Sequence, residues 1–173
     1  GLGGTPPIER LRELLRTLSE RDQRLLKSGL HLGIVMNEYQ DTFARGDFLI
    51  SNVMGTRSDD GAIAIGNLVR VGQTVQFHLR HSEAATEDLD LMLGNYQNNK
   101  PATDPAGALL FSCTGRGASL FGQPNHDSNA FASKLGDLPV GGFFCAGEIG
   151  QVGGSTYMHG YTSSFGIFRP EHA

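Results

Sequence analysis

The 173-residue chain has no tryptophan, two cysteines, and charged side chains at 18% of its positions. Each scarcity narrows what the protein can be. Two cysteines cannot build a disulfide framework, so a hydrophobic core must hold the fold, and a chain of this length buries about 70% of the surface its unfolded form exposes. Lys and Arg are spread thinly under a net charge of −4 and form no basic stripe, which argues against nucleic acid as a partner. No apolar run approaches the ~18 residues of a membrane span, and no charged start leads into an apolar core and cleavage site. The expectation is a protein with no membrane or nucleic-acid partner, located in the cytoplasm. There Cys113 and Cys145 are read as free thiols, although a disulfide could join them if their strands are neighbours.

What the chain has in abundance is glycine, 24 residues of it, clustered rather than scattered. The run from Gly107 to Gly117, GALLFSCTGRG, reads as an apolar strand ending in Ser112, Cys113 and Thr114 and turning through Gly115, Arg116 and Gly117. Such a turn offers backbone N–H groups and a guanidinium fork together, a chemistry suited to a small anionic group. A second block, PVGGFFCAGEIGQVGG from Pro139 to Gly154, repeats the plan with opposite charge, its apolar half ending at Cys145 and its turn presenting Glu148 after Gly147. If the two strands are neighbours, Arg116 and Glu148 flank one crevice at the strand ends, and such a crevice suits a zwitterion.

The remaining organisation follows from periodicity. Residues from Pro6 to Lys27 carry apolar side chains near a 3.6 period, forming one helix or two joined at Ser19, where Asp22 completes a capping pattern. Gly29 ends it. Short apolar or alternating runs then predict strands at His31–Met36, Asp47–Met54, Ala62–Ile65 and Thr74–His81, the pattern of an antiparallel meander. Ser82 is read as the cap of an acidic helix through Leu93, and Asn95 to Pro105 as a polar loop. After the Gly107 strand come a helix near Asp127–Leu135, the Val140 strand, a glycine turn and a last strand over Tyr161–Arg169. The fold class expected is α+β, a mixed, largely antiparallel sheet with packed helices.

Taken in order, LLFSCTGRG, PVGGFFCAGEIGQVGG and the closing MHGYTSSFGIFR resemble the C-terminal domain of FIST proteins, a sensory and signal-transduction module of bacteria and of some eukaryotic F-box proteins. The resemblance implies a small ligand, amino acids being the usual suggestion, and an N-terminal FIST domain as neighbour. Nothing in this chain matches that half, and because it starts at Gly1 it is read as an excised domain. Residues 1–29 are then a helical lead-in and 30–173 the sensory domain.

The candidate ligand-binding residues are Ser112, Cys113, Thr114, Gly115, Arg116, Gly117, Gly147, Glu148, His159 and Thr162. Each also has a plainer reading. Arg116 could be a solvated turn residue, Glu148 a carboxylate capping its own loop, and the two could pair with one another, which would close the crevice. Cys113 with His159 as base would make a nucleophile, but a cysteine at a strand end is mostly packing, so no catalytic residue is assigned and the protein is read as not an enzyme. The six histidines show no zinc spacing with the cysteines, so no metal site and no cofactor are expected. A haem-linked gas sensor using His78 or His159, and a protein interaction module without a small ligand, are the rival functions. A signalling effector is the further partner that the sensory reading implies.

Overall fold

In the computed structural model residues 1–99, 103–152 and 154–171 are described. Part of the expected 95–105 loop, Gly153 in the second glycine block, and His172 lie outside them. The fold is α+β, and it divides into two compact units, Gly1–Arg80 with Val152–Ser155, and His81–Gln151 with Thr156–Ala173. The main boundary between the units falls after the fourth strand.

The first unit opens with α1 (Pro7–Leu15) and α2 (Glu20–Gly29), and the break falls at Ser19, whose hydroxyl accepts the Asp22 N–H at 3.2 Å. Strands β1 (Leu30–Val35), β2 (Phe48–Thr56), β3 (Ile63–Ile65) and β4 (Val75–Leu79) make one antiparallel sheet in the order β3-β2-β1-β4. It departs from a simple meander because β4 returns to pair with β1. Strand β1 is thus an inner strand paired on both sides, consistent with the burial of Leu32, Ile34 and Val35. Helices α1 and α2 fall within this unit. The Ile8 N–H donates to Gly61 O at 3.0 Å, and Leu11 is buried.

His31 and His78 face each other across the β1–β4 ladder, so both imidazoles rise from one side of the sheet. The His78 ring sits edge-on to Phe48, centroids 4.9 Å apart, and directly over Gly33. Only glycine fits there, since a Cβ at residue 33 would stand 2.5 Å from His78 Nε2. That nitrogen is buried and has no hydrogen-bond partner among the described residues.

The second unit carries α3 (Ser82–Asn98), β5 (Gly107–Cys113), α4 (Ala118–Phe121), α5 (His126–Leu135), β6 (Val140–Cys145), the hairpin strands β7 (Glu148–Val152) and β8 (Ser155–His159), and β9 (Ser163–Phe168). A 3-10 turn over Thr114–Arg116 follows β5. The three-stranded sheet has the order β6-β5-β9, with β5 parallel to β6 and antiparallel to β9. Helices α3 and α5 cover one face, where Leu89, Leu93, Ala108 and Phe131 form the core and Phe165 stacks on Phe131 at 5.4 Å. Three details depart from expectation. Helix α3 runs on to Asn98, His81 takes the cap position with Ser82 as the first helical residue, and the second glycine block continues into the β7–β8 hairpin instead of a bare turn.

The two histidines make the first unit sensitive to acid. Burial, with the Arg80 charge also contributing, lowers the pKa of His31 below 6.5, while burial and the neighbouring His31 lower that of His78. Each ring takes up its proton at a lower pH in the fold than in the unfolded chain, so this contribution to stability is present above about pH 6.5 and is lost as the pH falls below it. Urea unfolding followed by amide exchange in β1 should show this loss. His78→Phe, which keeps a ring over Gly33, should flatten the dependence; an unchanged pH profile would remove His78 from the explanation.

Candidate functional site

The helix-covered face of β5 and β9 ends in two serines, Ser112 and Ser163, which are register partners. Helix α5 starts above them and brings Asp127 in its first turn. The Ser112 hydroxyl donates to Asp127 Oδ2 at 2.8 Å, and Ser163 donates to the same oxygen. Arg116 grips the carboxylate as a fork, Nε to Oδ2 at 2.8 Å and Nη2 to Oδ1 at 2.9 Å, and the pair is buried. His126 Nδ1 adds a bond to Oδ1 at 2.9 Å, and its Nε2 meets Thr86 Oγ1 on α3 at 2.9 Å. Phe121 lies flat on the His126 ring with centroids 3.5 Å apart and under the Arg116 guanidinium at 5.2 Å.

Burial alone would raise the Asp127 carboxyl. The hydrogen bonds from Arg116, Ser163 and His126, with the Arg116 charge, outweigh it and hold the group well below the usual carboxylate range.

A second cluster forms where β6 turns into β7. Glu148 is 1% exposed, the deepest charged side chain among those described. Its Oε2 accepts from the Thr162 N–H at 3.3 Å and the Thr162 hydroxyl at 3.0 Å, while Oε1 accepts from the Cys145 thiol at 3.4 Å. Burial, then the adjoining carboxylate, push the Cys145 thiol above its ordinary value.

The expected strand adjacency is present, because β5 and β6 pair in parallel with Cys113 opposite Cys145. Arg116 and Glu148 each lie three residues beyond that rung. They reach successive residues of one segment, Arg116 Nη1 donating to Tyr161 O at 3.4 Å and Glu148 accepting from Thr162. Among the described residues they do not bond one another, for each has its own partner. Cys113 is buried and its N–H donates to Thr162 O at 2.9 Å. Thr114 is exposed at the start of the 3-10 turn, and Gly115 lies within it. Gly117 has an ordinary φ of −76° and links the turn to α4. Gly147 lies against Met158 and the His159 backbone. His159 joins neither cluster, since its Nε2 pairs with Gly150 O at 3.1 Å, where it does not serve the Cys113 thiol as a base.

Sequence reasoning missed Asp127, His126 and Cys145 as members of these clusters and set Ser163, a possible hydroxyl for the same crevice, aside as an ordinary strand residue. The available signal was Arg116 itself, because a guanidinium buried beyond an apolar strand needs a carboxylate, and Asp127 opens the next helix. Among the described residues no group of three His, Cys, Asp or Glu side chains comes together as a metal site. None of their helices is long and apolar enough to cross a membrane.

The sequence matches the FIST C domain over residues 7–151. The chain belongs to the FIST C domain family. An uncharacterized protein of Mycobacterium tuberculosis is 44% identical over 167 residues, covering 96% of this chain and 43% of the relative, and one of Mycobacterium bovis is 41% identical with the same coverage. An F-box/LRR-repeat protein of Arabidopsis thaliana is 35% identical over 108 residues, 60% of this chain and 20% of that protein. The chain thus spans less than half the length of the mycobacterial relatives. No solved structure matches it. FIST C domains are associated with sensory signal-transduction proteins.

Removing one partner from a buried, hydrogen-bonded ion pair leaves an uncompensated charge and costs about 3–5 kcal/mol. Asp127→Ala should destabilise the domain by that amount in urea unfolding, whereas Ser112→Ala should cost about 1 kcal/mol. A cost for Asp127→Ala no greater than that of Ser112→Ala would show that the carboxylate does not hold these elements together.

Proposed function

We propose that this chain is the non-enzymatic, small-ligand-sensing domain of a cytoplasmic signal-transduction protein, and that its ligand is a free amino acid held at the carboxyl ends of β5 and β6. The observation that carries the reading is the meeting of a buried cation and a buried carboxylate on the successive residues Tyr161 and Thr162. Ligands of sheets with parallel strands bind outside the carboxyl ends of those strands. Arg116 spends two of its five N–H groups on Asp127, and its Nη1 makes a long bond to a carbonyl, so donors remain for an incoming carboxylate. Asp127 already accepts five donors and is a poor acceptor for anything further. Glu148 is the carboxylate that would meet an ammonium group.

Tyr161 supports the same location. Its φ of 63° lies in the left-handed region that a bulky residue rarely adopts, a strain that gathers where ligands are gripped. A ligand that bonds this segment would favour one arrangement of the β8–β9 connection and so shift a population that an effector reads.

A different observation favours an interaction module. On the sheet face opposite the core, Leu109, Phe143 and Phe168 are 37%, 65% and 57% exposed, a run of apolar side chains across all three strands.

Thermal-shift screening against amino acids, organic acids and amines separates the two readings. Amino acids should raise the melting temperature, with a stabilisation of about 2.7 kcal/mol at one hundred times the dissociation constant, and acids or amines alone should do less. Thr162→Val, which keeps the side-chain shape but removes a hydroxyl donor to Glu148, should weaken the shift if circular dichroism shows the variant folded. If no amino acid shifts either this chain or a full-length mycobacterial relative, the ligand class is wrong and the interaction module takes its place.

A further inference from the structure

The last rung of the parallel β5–β6 ladder is a pair of cysteines. Cys113 and Cys145 are register partners, and both are free thiols. Neighbouring strands lie about 4.8 Å apart and register partners project from the same face. That spacing falls inside the roughly 4.4–6.8 Å between Cα atoms that a disulfide spans. The Cys145 sulfur already leans across to the neighbouring strand, 3.6 Å from Ser112 O, the carbonyl directly before Cys113. It also has a route to solvent, since Cys145 is half-buried while Cys113 is 6% exposed.

We propose that Cys113 and Cys145 are a reversible dithiol–disulfide site, oxidised by a low-molecular-weight disulfide of the glutathione type. The Cys145 thiolate attacks one sulfur of the small disulfide, forming a mixed disulfide while the small S–S bond breaks, and one small thiol departs with the proton that Cys145 gave up. The Cys113 thiolate then attacks the Cys145 sulfur, closing the Cys113–Cys145 bond and expelling the second small thiol with the proton from Cys113. Two protein thiols are oxidised and one small disulfide is reduced to two thiols.

Closure has a structural consequence. It removes the Cys145 thiol hydrogen from Glu148 Oε1 and leaves that buried carboxylate with its two donors from Thr162. The turn between β6 and β7 therefore differs between the two redox states. Burial and the Glu148 carboxylate, which raise the Cys145 pKa, also make exchange slow at neutral pH and faster as the pH rises.

The test treats the 173-residue chain with oxidised glutathione and follows thiol content, intact mass and peptide maps. Both thiols should disappear together with loss of two hydrogen atoms per chain, a Cys113–Cys145 linked peptide should appear, and dithiothreitol should restore both thiols. The rate should rise roughly tenfold per pH unit around neutrality. Cys113→Ser should halt the reaction at a glutathione adduct on Cys145, and Glu148→Gln, which removes the opposing charge, should accelerate it at neutral pH. A stable adduct on Cys145 beside a free Cys113 in the unaltered chain, disulfides only between chains, or no loss of thiols would each overturn the proposal.

Discussion

The second unit depends on one carboxylate. Asp127 accepts hydrogen bonds from Arg116, Ser112, Ser163 and His126, drawn from the 3-10 turn, β5, β9 and its own helix. A carboxylate has about four lone-pair sites, so five donors saturate it. Saturation is what makes burying the charge tolerable. Desolvating an isolated carboxylate costs far more than the marginal stability of a domain, and only a full set of charge-assisted bonds offsets it. Because the donors lie on separate segments, the carboxylate also sets where α5 begins relative to the ends of β5 and β9. His126 extends the network to α3 through Thr86.

That arrangement constrains any ligand chemistry at the strand ends. Arg116 cannot leave Asp127 without stranding a buried anion, so a ligand has to use the guanidinium N–H groups that Asp127 does not occupy. Glu148 is held just as firmly by Thr162, whose main chain also accepts the Cys113 N–H. The two clusters therefore share the Tyr161–Thr162 segment as a common wall. Each charge thus bonds this segment directly, Arg116 through Tyr161 O and Glu148 through Thr162.

How much of this was legible in the sequence depended on the range of the interaction. The capping pattern at Ser19 and the α+β class follow from local capping and periodicity, which a sequence displays directly. The adjacency of the two glycine-flanked strands is a long-range pairing that their similar layout only suggests. The role of Asp127 is not displayed directly either. Apart from the adjacent His126, its partners are 11 to 36 residues away, and an acidic residue in a first helical turn has an ordinary local explanation in the helix dipole. Ser163 was likewise masked by its fitness for a strand. The β7–β8 hairpin escaped because Glu148–Val152 contains a glycine and two polar residues among five, which reads locally as turn. Gly33 shows a related case, a glycine within an apolar strand whose missing Cβ makes room for the ring of His78.

The clearest organising feature is the rung-by-rung repetition along the parallel pair. Phe111 faces Phe143, Ser112 faces Phe144, and Cys113 faces Cys145; three residues further, one strand delivers Arg116 and the other Glu148. Side chains alternate between faces with a period of two, so this register sends the serine to the helix-covered side and the cysteines to the other. The two glycine-rich motifs, 32 residues apart at their cysteines, thus occupy equivalent positions on adjacent strands. A one-residue slip of β6 would exchange its faces, turning Cys145 away from Cys113 and bringing Phe144 to the cysteine side. A slip that brought Phe143 opposite Leu110 is barred, because a Cβ at that place in the rung, now held by Gly142 with a φ of 149°, would stand 1.9 Å from Leu110 O. Backbone contact in the middle of the strand, well before the turns that carry the chemistry, therefore excludes one of the two slips that would displace the charges.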